Sequence, residues 1–446
     1  MPHERFHFRT LGALTARIDQ LGLDLPITDD LSPLARRVCI GSKETPNALA
    51  IHPMEGCDGT AEGRPDALTV RRYLRFARGG AGLLWFEATA VVHEGRANPR
   101  QLFLTPENAP AFARMREEAL AAGREANGPD HDPFTVLQLT HSGRYSRPDE
   151  KPAPIIAHHD GLLDEALGLR PDHPLIADDD LERLQERYVA AARLAWQCGF
   201  DAVDIKSCHR YLISELLAAH TRPGRYGGPF ENRARFLLDV VRRVRVEVPD
   251  IQVAVRLNVY DGHPHPWGWG VDRGDPAVPD LDDPLRLIGL LQEAGVTLLN
   301  VTAGNPYYTP HINRPFDTNV IGGYTPDEHP LVGVTRLVHL ARKVKARYPG
   351  LIVVGTGYSW LRHHLGHVAA AVIARGWADI VGAGRGAFAY PDFARDLLAT
   401  GRMNPRKSCI ACSRCTQIMR DQGRTGCAVF DREVYGPIYE AGRAAH

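Results

Sequence analysis

Ile352-Val-Val-Gly-Thr-Gly357 and Asp379-Ile-Val-Gly-Ala-Gly-Arg385 are two copies of one pattern, with a helical stretch at 366–375 between them. Each copy is a short β-branched run that ends in glycines, and runs of this kind indicate buried strands. Strands that alternate with helical stretches predict a parallel sheet built from helical crossovers. The two copies therefore predict the repeating unit of an α/β fold.

The same alternation begins near residue 48 and continues to residue 399. We count eight β-branched runs, at 48–52, 82–87, 135–139, 202–206, 252–256, 297–302, 352–355 and 379–381. Eight strand–helix units without a break in composition favour a closed (β/α)8 TIM barrel over a doubly wound open sheet. The expected division is an N-terminal arm (1–46), a barrel (47–402) and a C-terminal cysteine-rich segment (403–446).

The charge balance indicates a small-molecule substrate. The chain has 53 basic and 53 acidic residues. This balance leaves no excess of positive charge of the kind that binds nucleic acid or a membrane surface. No apolar run approaches the ~20 residues that span a bilayer, and the first residues lack the shape of a signal peptide. We expect a cytoplasmic protein without nucleic-acid or membrane partners; whether it forms a homo-oligomer stays open.

Half of the eight cysteines lie between residues 409 and 427: Cys409, Cys412, Cys415 and Cys427. Two-residue gaps let one turning loop supply three sulfurs, and a later segment closes the fourth position. Zinc sites more often take two separated Cys-x-x-Cys pairs, whereas a three-plus-one pattern is commoner around a four-iron cluster. We expect a [4Fe-4S] cluster, with a structural zinc and unligated cysteines as the alternatives.

The carboxyl ends of the strands are where a TIM barrel keeps its active site. After the seventh and eighth runs, Gly357, Gly384 and Arg385 stand where this fold binds phosphate, because glycines admit an anion close to backbone N–H groups. Two long excursions that contain several prolines, 144–178 and 258–283, are expected to lie over the same end.

Several motifs resemble the old yellow enzyme family of flavin oxidoreductases. They follow the family's order and are Gly79-Gly-Ala-Gly-Leu83 to Glu87-Ala-Thr-Ala90, Gln138 to Tyr145, Tyr211-Leu-Ile-Ser-Glu-Leu-Leu217, Arg225-Tyr-Gly-Gly-Pro-Phe-Glu-Asn-Arg-Ala-Arg-Phe236 and Ala378-Asp-Ile-Val-Gly-Ala-Gly-Arg385. His141-Ser-Gly-Arg-Tyr-Ser146 and the terminal cysteines are similar to the branch that contains 2,4-dienoyl-CoA reductase and trimethylamine dehydrogenase. That branch carries FMN, one four-iron cluster and a further nucleotide-binding portion. This chain is expected to stop before the nucleotide-binding portion.

The resemblance implies an FMN site at the mouth of the barrel. The residues implied are Pro53, Met54 and Ala88 through their backbone, Gln138 at the pyrimidine edge of the isoalloxazine, Arg256 beside N1 and O2, and Gly357, Gly384 and Arg385 at the phosphate. A cation beside N1 stabilises the anionic reduced flavin.

Lys206, His209 and Tyr211 match the substrate-binding segment of the family. Related reductases carry a His-x-x-His or His-x-x-Asn pair that hydrogen-bonds an electron-withdrawing oxygen, and a tyrosine two residues on that protonates the carbon α to it. Here Lys206 replaces the first histidine and Arg210 stands where glycine is usual. We expect these departures to alter substrate choice more than reaction class. The run Glu55-Gly-Cys-Asp58 also falls near the flavin, without an assigned role.

The predicted function is an ene-reductase that moves hydride from reduced flavin to the β-carbon of an α,β-unsaturated carbonyl or carboxyl compound. One alternative is dehydrogenation of amines in an aromatic cage, to which Trp267, Trp269, Tyr307 and Tyr308 are candidates. Another is an electron-transfer subunit with a structural zinc. The electron donor stays open between NAD(P)H and a redox partner protein at the cluster.

Overall fold

The computed structural model describes residues 2–444. Eight parallel strands form a closed barrel in chain order: β1 (Leu49–Ile51), β2 (Leu83–Ala90), β3 (Phe134–Thr140), β4 (Ala202–Ile205), β5 (Gln252–Asn258), β6 (Val296–Thr302), β7 (Ile352–Gly355) and β8 (Ile380–Ala383). β8 pairs with both β7 and β1, which closes the sheet. Each of the eight predicted runs is a barrel strand, so the predicted (β/α)8 TIM barrel is confirmed.

Helices surround the barrel and cover its ends. They are α1 (Leu11–Gln20), α2 (Ala67–Arg78), α3 (Ala109–Asn127), α4 (Gly161–Leu167), α5 (Asp178–Gln197), α6 (Leu212–Leu217), α7 (Phe230–Glu247), α8 (Asp282–Glu293), α9 (Pro310–Asn313), α10 (Pro330–Arg347), α11 (Leu365–Ala374), α12 (Arg385–Ala389), α13 (Phe393–Thr400), α14 (Arg414–Arg420) and α15 (Arg432–Ala444). In the part of the chain described, no helix is long and apolar enough to cross a membrane.

The strands are buried on both faces. Every residue of β2 and β3 is buried, because side chains fill the inside of the barrel while helices such as α3 and α5 cover the outside. This double burial explains why the strands read as continuous apolar runs in the sequence.

The N-terminal arm (1–46) packs on the outside of the barrel, and one part of it reaches the amino end. Its residues include an antiparallel hairpin, Val38–Ile40 with Lys43–Thr45, which the sequence did not predict. Lys43 Nζ lies 3.1 Å from Asp201 Oδ2 and 3.1 Å from the carbonyl oxygen of Pro133, just before β4 and β3. The hairpin therefore lies at the end opposite the predicted active site.

Candidate active site

A cavity of about 380 Å³ opens at the carboxyl ends of the barrel strands. Every residue predicted to contact flavin or substrate lines it except Ala88. The lining includes Pro53, Met54, Gln138, Lys206, His209, Tyr211, Arg256, Gly357, Gly384 and Arg385. Ala88 is fully buried outside this lining, and its carbonyl oxygen accepts a hydrogen bond from Gln101 Nε2 (3.0 Å). A contact between Ala88 and flavin thus stays a prediction.

Asp204, at the end of β4, organises the base of the cavity. Its carboxylate accepts hydrogen bonds from Gln138 Nε2 (2.6 Å), Trp85 Nε1 (2.9 Å) and the backbone N–H of Arg256 (2.6 Å). Burial raises the pKa of Asp204 to about 6. These three bonds come from three neighbouring strands, and they hold the Gln138 amide in one orientation.

Arg256 places a cation in the cavity wall. Its Nη1 lies 3.4 Å from the carbonyl oxygen of Pro53, and among residues 2–444 its Nε has no hydrogen-bond partner. A buried guanidinium with an unused donor is suited to an electron-rich ligand. The placement fits the predicted position beside the flavin ring.

Arg385 and Arg314 form a second positive region. Arg385 Nη2 donates to the carbonyl oxygen of Pro315 (3.0 Å) and Arg314 Nη1 to Ser413 Oγ (3.3 Å), while Nη1 of Arg385 and Nη2 of Arg314 lack partners among the described residues. Burial and then the charge of Arg385 lower the pKa of Arg314 to about 9. Two adjacent buried cations with unused donors fit a phosphate.

Glycines leave room for a ligand beside these arginines. A Cβ added at Gly384 would lie 2.9 Å from Met54 Sδ, and one at Gly382 would lie 2.3 Å from His52 Nε2. Gly357 has φ 103°, a conformation that side chains rarely adopt. Close packing at these glycines and the two arginines fit the phosphate end of FMN, and binding there stays a prediction.

Lys206 and Tyr211 meet at Glu55. Lys206 Nζ lies 2.9 Å from Glu55 Oε1 and 3.7 Å from the centroid of the Tyr211 ring. The Tyr211 hydroxyl lies 3.4 Å from the same Glu55 oxygen and 3.0 Å from the Tyr307 hydroxyl. Glu55, which had no assigned role, is thus the common partner of two predicted catalytic residues.

His209 is held in one protonation state. Asn313 Nδ2 donates to His209 Nε2 (2.9 Å) and to the carbonyl oxygen of Ala303 (3.0 Å), so the ring proton of the neutral imidazole lies on Nδ1. Burial, and then the charges of Arg256 and Lys206, lower the pKa of His209 well below its ordinary value. His209 is therefore a neutral hydrogen-bond donor.

The loop after β4 has an unusual backbone. His209 and Arg210 are consecutive and both left-handed, with φ 65° and 61°, a conformation that costs of order 1 kcal/mol or more for each such residue. The buried Arg210 guanidinium lies 3.0 Å from Asp160 Oδ2 and 3.4 Å from Asp261 Oδ2, and it donates to the carbonyl oxygen of Trp267 (2.7 Å). Arg210 thereby connects the loop after β4 to both long segments that were predicted to cover this end of the barrel, 144–178 and 258–283.

Three tyrosines form an aromatic wall. The Tyr145 and Tyr307 rings stack with centroids 3.8 Å apart, and the Tyr211 ring lies 6.1 Å from Tyr145 and 6.4 Å from Tyr307. Of the four aromatic residues proposed for a cage, only Tyr307 lines the cavity.

The four predicted cysteine ligands surround a second cavity of about 20 Å³. Left-handed residues Ala411 (φ 51°) and Ser413 (φ 56°) turn the first loop, and the backbone N–H of Ala411 approaches Cys409 Sγ at 3.4 Å. Within residues 2–444, no three metal-binding side chains converge closely enough to hold a single ion. The structure thus brings the four predicted cysteine ligands to one place.

The cysteine segment also forms a wall of the large cavity. Four of its residues line that cavity: Thr416, Met419, Arg420 and Gln422. The backbone N–H of Thr425 donates to the carbonyl oxygen of Gly56 (2.6 Å), and Asn98 Nδ2 donates to Gln422 Oε1 (2.8 Å). Arg385 lines both cavities. The two predicted cofactor sites are therefore adjacent.

Some site residues carry no signal in the sequence. Asn313 and Arg314 come from the irregular stretch after β6, and Arg420 comes from α14; none belongs to a recognisable motif. Glu55 had a usable signal, because a carboxylate directly follows the Pro53-Met54 pair.

The sequence of this chain is similar to those of known proteins. The model of the NADH:flavin oxidoreductase / NADH oxidase family matches residues 36–267, just over half of the chain. NADH oxidase of Thermoanaerobacter brockii is 26% identical over 385 residues, which are 84% of this chain and 52% of that protein. This chain thus spans about half the length of that relative.

Two solved structures share the fold. 2-Naphthoyl-CoA reductase, in complex with 2-naphthoyl-CoA, has a TM-score of 0.70 at 19% identity over 92% of this chain and 58% of its own. Histamine dehydrogenase from Rhizobium sp. 4-9 has a TM-score of 0.68 at 19% identity over 90% of this chain and 53% of its own. The barrel, the cavity at its carboxyl end and the matched family model lead to one conclusion: the chain belongs to the NADH:flavin oxidoreductase / NADH oxidase family, the old yellow enzymes.

Proposed function

We propose that the protein is an FMN- and [4Fe-4S]-dependent ene-reductase that acts on α,β-unsaturated carbonyl or carboxyl compounds. The observation that carries this proposal is the convergence of Lys206, His209 and Tyr211 on one cavity, opposite residues that fit FMN. Reduced FMN, when bound, supplies a hydride to the β-carbon of the substrate.

Lys206 and His209 bind the activating oxygen. The Lys206 ammonium has hydrogens beyond the one directed at Glu55, and His209 has its Nδ1–H. Donors at this oxygen stabilise the negative charge that develops there as hydride reaches the β-carbon.

Tyr211 supplies the proton for the α-carbon. Burial, and then the Glu55 carboxylate, raise the pKa of Tyr211 well above its ordinary value, so its hydroxyl is protonated at neutral pH. The hydride at the β-carbon and the proton at the α-carbon together give the saturated product, and Tyr211 then takes a proton from solvent.

We propose that Cys409, Cys412, Cys415 and Cys427 hold the [4Fe-4S] cluster. A cubic cluster fills the space between its ligands, so its sulfurs stand farther apart than around one zinc ion. The four cysteines line one cavity, and their three-plus-one spacing in the sequence supports the cluster over the zinc alternative. When bound, the cluster would exchange electrons with the adjacent flavin. The donor is NAD(P)H or a redox protein that docks at the cluster.

Amine dehydrogenation is the second candidate, and the wall of Tyr145, Tyr211 and Tyr307 favours it. Histamine dehydrogenase, which shares this fold, acts on an amine, as its name states. Against this reading, the Lys206 ammonium already lies 3.7 Å from the centre of the Tyr211 ring. Lys206 therefore already occupies the ring face at which a substrate ammonium group would bind.

Tyr211→Phe tests the proposed function. The reduced variant should be reoxidised by an activated alkene about 10²- to 10⁴-fold more slowly than the reduced wild type, because the α-proton donor is gone. Rapid mixing under anaerobic conditions measures this rate, and flavin reduction by the donor should be unchanged. Tyr348→Phe is the matched control, since its hydroxyl bonds to Leu285 outside the cavity. An undiminished rate of reoxidation in Tyr211→Phe would refute the role.

A further inference from the structure

Glu55 lies where it decides the charge of the substrate that the site accepts. We infer that the Glu55–Lys206 pair selects alkenes activated by a neutral carbonyl group, as in aldehydes, ketones and esters, over alkenes activated by a free carboxylate. The inference rests on the proposed ene-reduction and narrows its substrate class.

The charge of Lys206 is already compensated. Its Nζ lies 2.9 Å from Glu55 Oε1, and the two side chains are only 4% and 11% exposed. At this burial, water and salt screen the pair weakly, so the carboxylate cancels most of the ammonium's field at the substrate.

The other substrate-binding donor adds no charge. His209 is a neutral imidazole, since Asn313 Nδ2 donates to its Nε2 and three nearby cations, Arg256, Lys206 and Arg314, oppose a second proton. Arg256 is directed at the carbonyl oxygen of Pro53, on the side assigned to the flavin. Arg314, whose Nη1 donates to Ser413 Oγ, lies with Arg385 at the position assigned to phosphate. Of the side chains that match the substrate-binding segment, Lys206 therefore has a compensated charge and His209 has none.

The Glu55–Lys206 pair disfavours binding of a carboxylate substrate but not of a neutral carbonyl. A substrate carboxylate would lie beside Glu55 and would either repel it or displace it from Lys206, leaving a buried charge unpaired. A neutral carbonyl needs only the free hydrogens of Lys206 and the Nδ1–H of His209. Only the neutral carbonyl leaves the Glu55–Lys206 ion pair intact.

Glu55→Gln tests the inference with a matched substrate pair, cinnamaldehyde and cinnamate. The near-isosteric amide frees the charge of Lys206, so the ratio of kcat/KM for aldehyde over acid should fall at least about tenfold. Glu44→Gln is the control, since Glu44 pairs with exposed Arg37 in the hairpin at the opposite end of the barrel. The double variant Glu55→Gln/Lys206→Met should reverse the fall, because the charge that Glu55→Gln frees is then removed.

A binding measurement separates this inference from the proposed function. The oxidised holoenzyme is titrated with benzaldehyde and with benzoate, and each Kd is read from the perturbation of the flavin spectrum. Glu55→Gln should tighten benzoate relative to benzaldehyde at least about tenfold. If this shift occurs in an enzyme that reduces no alkene, charge selection stands and ene-reduction fails. If the wild type reduces alkenes but Glu55→Gln changes neither ratio by more than about twofold, ene-reduction stands and the inference is overturned.

Discussion

Arg210 is buried at the centre of the loops that cover the barrel mouth, where related enzymes usually have glycine. Its guanidinium contacts Asp160, from the excursion after β3, and Asp261, from the excursion after β5. His263 Nε2 also lies 2.8 Å from Asp160 Oδ2. Buried charges are stable only as pairs, so one arginine makes two long loops and the catalytic loop interdependent.

Replacing Arg210 by methionine should lower the free energy of unfolding by about 3–5 kcal/mol, because Asp261 and Asp160 lose their buried cation. Urea unfolding of the holoenzyme measures the change. Arg170→Met is the matched control: Arg170 pairs with Asp172 at 80% and 68% exposure, and such pairs contribute at most about 1 kcal/mol. Equal stability of the two variants would mean that the Arg210 contacts do not hold the loops.

The cysteine segment is the element that links the two proposed cofactors. Its helix α14 lines the large cavity, and its helix α15 is preceded by Asp431, which pairs with Arg71 (2.7 Å) and Arg75 on α2. The segment therefore packs on the barrel through contacts that do not involve the cysteines.

Because of these contacts, Cys412→Ala should disable the cluster without releasing the segment. We predict that reduction of the enzyme by an external redox protein is lost, while photoreduction of the bound flavin is retained. Absorbance of the flavin under anaerobic conditions follows both reactions, and the exposed Cys39→Ser serves as control. Equal loss of both reactions would assign the cysteines a structural role.

Elements differed in how well the sequence predicted them. The barrel strands were predictable because burial on both faces leaves β-branched runs, and β7 begins and ends where the sequence places it. The hairpin Val38–Ile40 with Lys43–Thr45 was missed because its strands have only three residues each, too few to show a period. Asn313 and Arg314 were missed for a different reason: they reach the site through tertiary packing of an irregular loop, which leaves no periodic trace.

At the scale of the whole molecule, buried histidines link stability to pH. Burial lowers the pKa of His52 to about 3, of His141 to about 4 and of His158 to about 3. Each is neutral in the folded protein, whereas it takes up a proton in the unfolded chain near its ordinary pKa of about 6.5. Each contribution to stability is therefore present above that pH and is lost as the pH falls below it.

Two buried carboxyl groups act in the opposite direction. Burial raises the pKa of Glu87 to about 7 and that of Asp204 to about 6. Because each folded pKa lies above its unfolded value, these groups stabilise the fold as the pH falls through this range. The buried histidines and carboxyl groups thus change stability in opposite directions as the pH falls. Replacing one histidine isolates the contribution of that residue.

His141→Gln should reduce the loss of stability between pH 7.5 and pH 5 by about 2 kcal/mol, because one group with a lowered pKa is removed. Urea unfolding at the two pH values measures the difference. The exposed His7→Gln should leave it unchanged. An unaltered pH dependence in His141→Gln would show that His141 does not titrate on unfolding.

The central claim is that the cavity at the barrel mouth reduces activated alkenes, and one anaerobic single-turnover experiment tests it most directly. The photoreduced wild-type holoenzyme is mixed with cinnamaldehyde, and the oxidised enzyme is mixed separately with histamine. We predict that the aldehyde reoxidises the flavin with formation of one equivalent of the saturated product, and that histamine leaves the oxidised flavin unchanged. Reduction of the flavin by histamine, with no reoxidation by the aldehyde, would contradict the claim.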